Sequence, residues 1–493
     1  MTTELVHPDR LQKLAALREA GVDPFPARGV ENEPIATLIA SGGTQAAPGA
    51  RIGTQACIAG RLLALRDFGK LMFAPVLDLT GKLQVGFQKA RLESWWERRK
   101  WLDGGDLVGV RGELGHTQKG ELTLWASEVV LLAKSLAPPP EKWHGLSDVE
   151  QRYRRRYVDL WASEGVRAVF VLRSRMVSLV RRFLEARGFL EVETPTLHPI
   201  AGGATARPFV THHNALDADF YLRIAPELYL KRLIVGGLER VFEVSRNFRN
   251  EGISTRHNPE FTMLELYQAQ ADFRHMMAHT EELLEHLARE LLGRTQLEFR
   301  GKPYDLKAPF PRRRYDELFR AANGCELHER AAVARRAQEL GITLPPRPGA
   351  SAEAHHWALA TEVFDHTVEP LLEGPMFVTH FPTPISPLAK CDPADARFTE
   401  RFELFLGGME LANAFSELND PEEQQRRFAE QVASKDPEAP GEVDLDYVQA
   451  LEYGMPPTGG LGIGLDRLAM VLANQDSIRD VLLFPTLRPL GKD

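Results

Sequence analysis

The chain has 493 residues, 43% of them apolar, three cysteines and a formal net charge of −8. That length holds two or three domains with ample core, and an odd set of cysteines without paired spacing (Cys57, Cys325, Cys391) argues against a disulfide framework or a zinc site. The N-terminal MTTELVHPDRLQKL lacks an apolar signal core and no run approaches bilayer length, so the expected setting is a reducing cytoplasm without a membrane partner.

Residues 1–49 are expected to form a helical extension. Residues 50–137 carry 13 Lys/Arg against 9 Asp/Glu, which leaves −12 for the remainder. A modestly basic module on an acidic body suits local capture of a polyanion, although random scatter also produces so small an imbalance. Within this module the alternating runs Ile58–Leu65, Met72–Leu79, Leu83–Phe87, Leu107–Glu113 and Leu122–Ala126 are separated by glycine-rich turns. Five such strands predict an OB-fold barrel, which binds single-stranded bases. On it Phe73 can stack a base, and Gln84 and Glu121 can read a Watson–Crick edge. A barrel-core role is the alternative for Phe73. Pro138–Pro140 opens a linker over 138–155, and within the basic run Arg152–Arg156 that follows it, Arg154–Arg156 are expected near RNA backbone or on the surface of the next domain.

Residues 156–493 are expected to form a second, α+β domain, an antiparallel sheet flanked by helices. The spacing of Val169, Leu172, Met176, Leu179/Val180 and Phe183 predicts a helix over Val166–Arg187, capped at Gly188 and followed by a strand that ends in Pro195. Two β-like segments follow, Val241–Arg249 and Phe261–Tyr267. Side chains alternate along a strand, so Arg249 and Glu251 share one face, and Phe261, Glu265 and Tyr267 share another. If both faces line one cleft, it offers a guanidinium for phosphate, an aromatic plate for a base, and a carboxylate with a phenol for a cation. Residues 270–375 carry helical spacing (Met276–Leu292, Ala331–Leu340, Ala354–Phe364) and are expected to be a helical insertion.

Farther along, Gly407-Gly408 predicts a two-residue hairpin pairing Leu406 with Met409 and Phe405 with Glu410. Glu403 and Glu410 then share a face, and two carboxylates that close call for a divalent cation; Mg²⁺ held by one or two carboxylates plus substrate phosphates is the usual arrangement. Asn413, Phe415 and Glu417 fall on the opposite face of an unbroken strand, so a bulge near Ala412–Ala414 is needed to bring them to the same cleft. Finally, GGLGIGLDRLAMVL (459–472) runs from a glycine-rich strand into a helix with Arg467 in its first turn, where a terminal phosphate can be met.

These last segments resemble motifs 2 and 3 of the class II aminoacyl-tRNA synthetases, and the helix and strand over 166–195 resemble motif 1. ARPFVTHHNALDADFYLRIAPELYLKRL (206–233) and EYGMPPTGGLGIGLDR (452–467) resemble the lysyl members in particular, and Ile58–Leu136 resembles their anticodon-binding barrel. The resemblance implies ATP-dependent activation of L-lysine, with Mg²⁺, and transfer to tRNA(Lys) by a homodimer formed through motif 1. It implies Arg249, Glu251, His257, Asn258, Phe261 and Arg467 at ATP, Arg249 and Arg467 being catalytic, and Glu403 and Glu410 at the metal. Gly203, Glu227, Arg249, Glu265, Tyr267, Asn413, Phe415 and Glu417 are implied around lysine, and Phe73, Gln84 and Glu121 at the anticodon. Two departures stand out. Leu65-Arg66 replaces a frequent pair of arginines, and Ala412 and Ala414 replace glycines expected at the pocket floor. The alternatives are an aspartyl or asparaginyl enzyme, a lysyl-transferring paralogue, and an RNA-binding paralogue without activity.

Overall fold

The computed structural model describes residues 5–41, 47–93, 95–140, 146, 148–344, 351–434, 438 and 441–491. Parts of the expected N-terminal extension, linker and insertion (1–4, 42–46, 141–145, 147 and 345–350) lie outside them. Two compact units are present, Met1–Arg167 and Ala168–Asp493.

In the first unit, helices Pro8–Glu19 and Ile35–Ser41 precede strands β1 (Arg51–Leu62), β2 (Arg66–Asp67), β3 (Leu71–Leu77), β4 (Lys82–Gln88), β5 (Leu107–His116) and β6 (Leu122–Ala133). The order is β1-β5-β6-β4-β3-β2, and an additional β1–β3 pairing closes the barrel. Period-2 burial explains the assembly: in β3 Met72, Ala74 and Val76 are buried while Phe73 and Pro75 are half-exposed on the outer face. The first helix is fastened to the barrel by Arg10, whose guanidinium donates to the carbonyls of Ser135 at 2.8 Å and Gly104 at 2.9 Å. The basic run does not lie open as expected. Arg156 is fully buried and paired with Asp159 at 2.6 Å, because a short helix, Arg156–Ala162, turns it inward onto an equally buried carboxylate.

The second unit holds β7 (Leu190–Glu191), β8 (Leu197–His198), β9 (Val210–His213), β10 (Ala218–Leu222), β11 (Arg240–Phe248), β12 (Glu260–Ala269), β13 (Gln296–Phe299), β14 (Lys302–Asp305), β15 (Arg312–Arg314), β16 (Met376–Thr379), β17 (Arg401–Leu406), β18 (Met409–Ser416) and β19 (Thr458–Gly464). Its main sheet runs β15-β16-β17-β18-β19-β12-β11-β7, antiparallel except at β15–β16 and β11–β7. The helix Val166–Glu185 packs the expected face, with Met176, Val180 and Phe183 buried and Val169, Leu172 and Leu179 partly so. Only Leu190–Glu191 of the following segment pairs into the sheet, as an edge strand. Gly188 takes φ +78 in the connecting turn.

The stretch 270–375 contributes to two cores. Helix Phe273–Leu292 packs its buried stripe on the back of the main sheet. Helices Tyr315–Asn323, Arg330–Glu339 and Ala352–Thr367 surround a cluster of their own around Tyr315, Phe319, Val363 and Phe364, which closes against Val378 and Phe405 of the sheet.

Candidate active site

The open face of the main sheet forms the floor of a cavity of about 380 Å³. Strands β11 and β12 pair in register from Arg240↔Gln268 to Phe248↔Glu260, so Phe261, Met263, Glu265 and Tyr267 project into this cavity at every second position. Arg249, just beyond β11, places its guanidinium 5.1 Å from the centroid of the Phe261 ring, and its Nε has no hydrogen-bond partner among the described residues. Burial lowers its pKa, as expected for a cation awaiting an anionic partner. Glu251 is exposed at the rim and lines the cavity.

Arg467 enters from the helix Leu465–Leu472. Its Nη1 donates to the Glu410 carbonyl at 2.8 Å and lies 3.4 Å from that residue's carboxylate. Its Nη2 is 3.1 Å from His257 Nε2, and His257 Nδ1 meets Ser254 Oγ at 2.9 Å. Burial, followed by the charge of Arg467, holds His257 below the usual imidazole range. Asn258 lines the cavity, but its amide is engaged: Nδ2 donates to the Glu260 carbonyl at 2.7 Å and Oδ1 accepts from Thr486 N at 3.2 Å. Asp466, the neighbour of Arg467, accepts from Arg173 Nη2 at 2.6 Å and from Thr262 N at 2.7 Å, which ties three elements together behind the guanidinium.

The β17–β18 hairpin pairs Phe405 with Glu410 and Leu406 with Met409 across Gly407 (φ +60) and Gly408 (φ +66), the positive angles that a two-residue turn demands. The register then slips: Leu404 faces Ala412 and Glu403 faces Asn413, leaving Leu411 as the extra residue of a bulge. The bulge falls just before the expected position, and it has the expected effect. Glu410, Asn413, Phe415 and Glu417 all line one cavity. Ala412 and Ala414 differ from the expectation of a pocket floor, since past the slip they alternate onto the opposite face and lie buried in the core.

Burial, then the nearby Glu410, pushes the Glu403 carboxyl up to about 8. Arg401 Nη2 donates to it at 2.6 Å while Arg401 Nε donates to Asn413 Oδ1 at 3.0 Å. Among the described residues there is no group of three His, Cys, Asp or Glu able to hold a metal ion. Two adjacent, mutually repelling carboxylates fit Mg²⁺, which takes one or two such ligands and completes its shell with phosphate and water.

Deeper in, Glu227 opens the helix Glu227–Val235, and Gly203 (φ +86) crosses it so closely that a Cβ would lie 3.3 Å from the Glu227 Cβ. Tyr267 Oη donates to Glu265 Oε2 at 3.1 Å. Glu265 is pushed up to about 8 by burial and then by the charge of Glu227. Glu417 is almost wholly buried, and its Oε1 has no hydrogen-bond partner among the described residues. The glycines of β19 make room for it: a Cβ on Gly460 would overlap Glu417 Oε1 and stand 2.6 Å from Tyr267 Cε1. Lys231, Arg401 and Asp466 are functional neighbours that the sequence reading missed. Of these, Glu227 and Lys231 at i, i+4 on one helix carried a legible signal.

On the barrel, Phe73 stands edge-on to Trp125 (centroids 5.8 Å, 65°) and to the exposed Phe68 (6.4 Å, 71°). Gln84 is held from both ends: its Nε2 donates to Thr123 Oγ1 at 2.9 Å and its Oε1 accepts from Arg66 Nη2 at 2.9 Å. Glu121 is exposed, two residues before Thr123. The pairings Phe73↔Gly86, Pro75↔Gln84 and Gln84↔Thr123 put Phe73, Gln84 and Thr123 on one outer face. Leu65, in place of an arginine, packs partly against the barrel core.

A model for class II tRNA synthetases (D, K and N) matches residues 148–488, and a model for the OB-fold nucleic acid binding domain matches residues 56–132. Similar curated proteins include a lysine–tRNA ligase of Carboxydothermus hydrogenoformans, 50% identical over 487 residues and 97% of each chain. One of Moorella thermoacetica is 50% identical over 97% of each chain. One of Xanthomonas oryzae pv. oryzae is 53% identical over 88% of this chain and 86% of its own.

Proposed function

The chain belongs to the class II tRNA synthetases, among the lysine–tRNA ligases, and from this membership we infer that it joins L-lysine to tRNA(Lys) in an ATP-dependent reaction. One observation carries the choice of amino acid: Glu227, Glu265 and Glu417, with the Tyr267 phenol, converge on a single hollow continuous with the Arg249 and Arg467 cleft. Such a hollow is satisfied by two ammonium groups and leaves its carboxylates unpaired with a neutral side chain. Sites of this kind discriminate by on the order of 10⁴ or more without editing.

The reaction needs no protein nucleophile. The lysine carboxylate attacks the α-phosphorus of ATP, the bond to pyrophosphate breaks, and lysyl-adenylate results. The terminal ribose 3′-hydroxyl of tRNA then takes the lysyl group and AMP leaves. Positioning and charge stabilisation are therefore the protein's contribution. Arg249 bridges the α-phosphate and the substrate carboxylate. Phe261 is the plate for adenine, with Glu251 and His257 at the base and phosphates. Arg467 takes the γ-phosphate, and its anchorage to the Glu410 carbonyl fixes its reach. Asn258 acts on ATP through the loop whose shape its engaged amide maintains. Glu403 and Glu410 would hold Mg²⁺, which supplies charge neutralisation of the phosphates when bound. Glu227 and Gly203 receive the α-amino group, and Glu265, Tyr267, Asn413, Phe415 and Glu417 enclose the side chain.

The barrel over 50–137 reads the anticodon with Phe73, Gln84 and Glu121; support comes from the half-exposed Phe73, the exposed Glu121 and the fixed amide of Gln84, which is itself buried. A homodimer forms through motif 1, consistent with the exposed Val171 and Leu190, the latter on an edge strand. Among the described residues no helix is long and apolar enough to cross a membrane. An aspartyl or asparaginyl specificity would require a cationic or amide-reading pocket, which three glutamates oppose. The test is ATP–pyrophosphate exchange with each of the twenty amino acids. Exchange with lysine alone is expected, and exchange driven by aspartate or asparagine would refute the assignment.

A further inference from the structure

Behind the wall of the hollow lies a cation that the reaction does not call for. Lys231 has no exposed side-chain surface, and its Nζ is 2.6 Å from Glu227 Oε1 and in ion-pair contact with Glu417 Oε2. The first partner shares its helix at i, i+4. The second comes from the end of β18, more than 180 residues away in sequence. The ammonium also lies 5.5 Å from the Phe415 ring and 5.8 Å from the Tyr447 ring. A buried lysine costs several kcal/mol unless it is paired, so it persists here because two carboxylates claim it. Burial works against its charge, and Glu227 and Glu417 outweigh burial and keep it protonated.

We propose that Lys231 is a specificity-determining positioning residue: by spanning Glu227 and Glu417 it fixes the separation and the net charge of the two anionic ends between which a diamino acid is measured. The proposal rests on the reading of the hollow as the lysine pocket. Three carboxylates and one internal ammonium leave two negative charges when all are ionised, the number a diamino acid neutralises with its α- and ε-ammonium groups. Without Lys231 there would be three, and two of the carboxylates would repel across a gap with nothing between them. Lys231 meets Glu417 at Oε2, while Oε1 borders Gly460, a residue of the cavity lining, and has no hydrogen-bond partner among the described residues, so that oxygen is left for the substrate. The titratable groups facing Glu417 are Lys231 and Glu227 from one helix, Glu265 and Tyr267 from β12, and Tyr447 from the helix Leu445–Glu452. Lys231 is the only cation in that set.

The experiment is a double-mutant cycle on the full chain, read by lysine-dependent pyrophosphate exchange. Lys231→Met is expected to raise KM for lysine by about tenfold or more while KM for ATP stays within about twofold. The acid limb of kcat/KM for lysine should move to higher pH, because Glu417 without its cation holds a proton more firmly. A residue that merely filled space would leave that limb in place. In a Glu417→Gln background the same substitution should cost clearly less than in the wild type, since one of the two charges that Lys231 spans is gone. Fully additive effects, or an unchanged lysine KM in a folded Lys231→Met protein, overturn the proposal. If Glu417→Gln itself leaves lysine KM unchanged, the pocket reading fails instead. Should the methionine variant not fold, Lys231→Arg carries the test. Its longer planar head displaces Glu417, so lysine KM should rise, and an unchanged value is again decisive against the idea.

Discussion

At the scale of single residues, the hollow works by leaving acids short of partners. Glu417 has no exposed side-chain surface and, among the described residues, an oxygen without a hydrogen-bond partner, which on the proposed reading a substrate ammonium would complete. Replacing it by glutamine removes one charge-assisted hydrogen bond, worth about 1.5–3 kcal/mol. Glu417→Gln should therefore raise KM for lysine roughly 10- to 150-fold and leave KM for ATP nearly unchanged; equal effects on both would remove it from the lysine pocket. Glu265 makes a pH prediction. Its carboxyl rises from 4.5 to about 8 in the empty site. Between those values the unfolded chain has lost a proton that the folded protein keeps, so the empty protein loses stability as pH rises through that window. Lysine favours the ionised carboxylate, so the gain in Tm on adding lysine should grow from pH 6 to pH 8, with proton release on binding. A gain that shrinks over that range would show that Glu265 does not meet the ammonium. The residues legible from sequence were those placed by strand parity or by motif. Lys231 and Arg401 were placed by neither; Glu227 and Lys231 at i, i+4 did carry a signal, but the pairing of Lys231 with Glu417 is fixed by packing between elements distant in the chain.

Among the secondary-structure elements, the hairpin and the glycine strand determine what reaches the cleft. The sequence signalled the turn plainly: Gly407-Gly408 between alternating runs, and both residues adopt positive φ. It also signalled that a bulge was required, since parity set Glu410 and Asn413 on opposite faces. Its location at Leu411 was hidden, because the neighbouring alanines looked equally able to host it, and their real constraint is the core behind them. The glycines of β19 matter for the space they leave. Gly460→Ala keeps a permitted backbone but drives a methyl into Glu417 and Tyr267. It should raise KM for lysine by about tenfold or more, with the fold intact, as overpacking in a closed site does. Wild-type kinetics from that variant would mean that the strand lies farther from Glu417 than described. The stretch 270–375, expected to be a helical insertion, holds helices together with strands β13, β14 and β15, and periodicity alone could not say that its first helix packs on the main sheet.

Over the whole molecule, the two proposed chemistries fall in two compact units, and their separation is testable. The barrel's outer face presents Phe73 beside Trp125 and a clamped Gln84, while all the groups assigned to lysine and ATP lie within the other unit. Loss of one stacking contact costs about 1–3 kcal/mol. Phe73→Ala should thus raise KM for tRNA roughly 5- to 150-fold in aminoacylation and leave pyrophosphate exchange untouched. A parallel fall in exchange would contradict a purely anticodon role. The net charge of −8 misleads for the molecule and becomes informative only when divided by domain. Barrel and catalytic domain were legible because each carries a periodic pattern with its own turn chemistry. Arg156 was not, since a basic run says nothing about which of its members meets a buried aspartate.

The hydrogen bond from Thr486 to Asn258 would give the far end of the chain a hand in the proposed nucleotide chemistry. Asn258 uses the nitrogen of the same amide, donating to the Glu260 carbonyl, to brace the loop between β11 and β12, so the C-terminal strap acts as a fastener for the segment proposed to fold over ATP. Trimming the polypeptide after Pro485 should leave thermal unfolding of the barrel unchanged while weakening nucleotide capture, as titration with a non-hydrolysable ATP analogue would register.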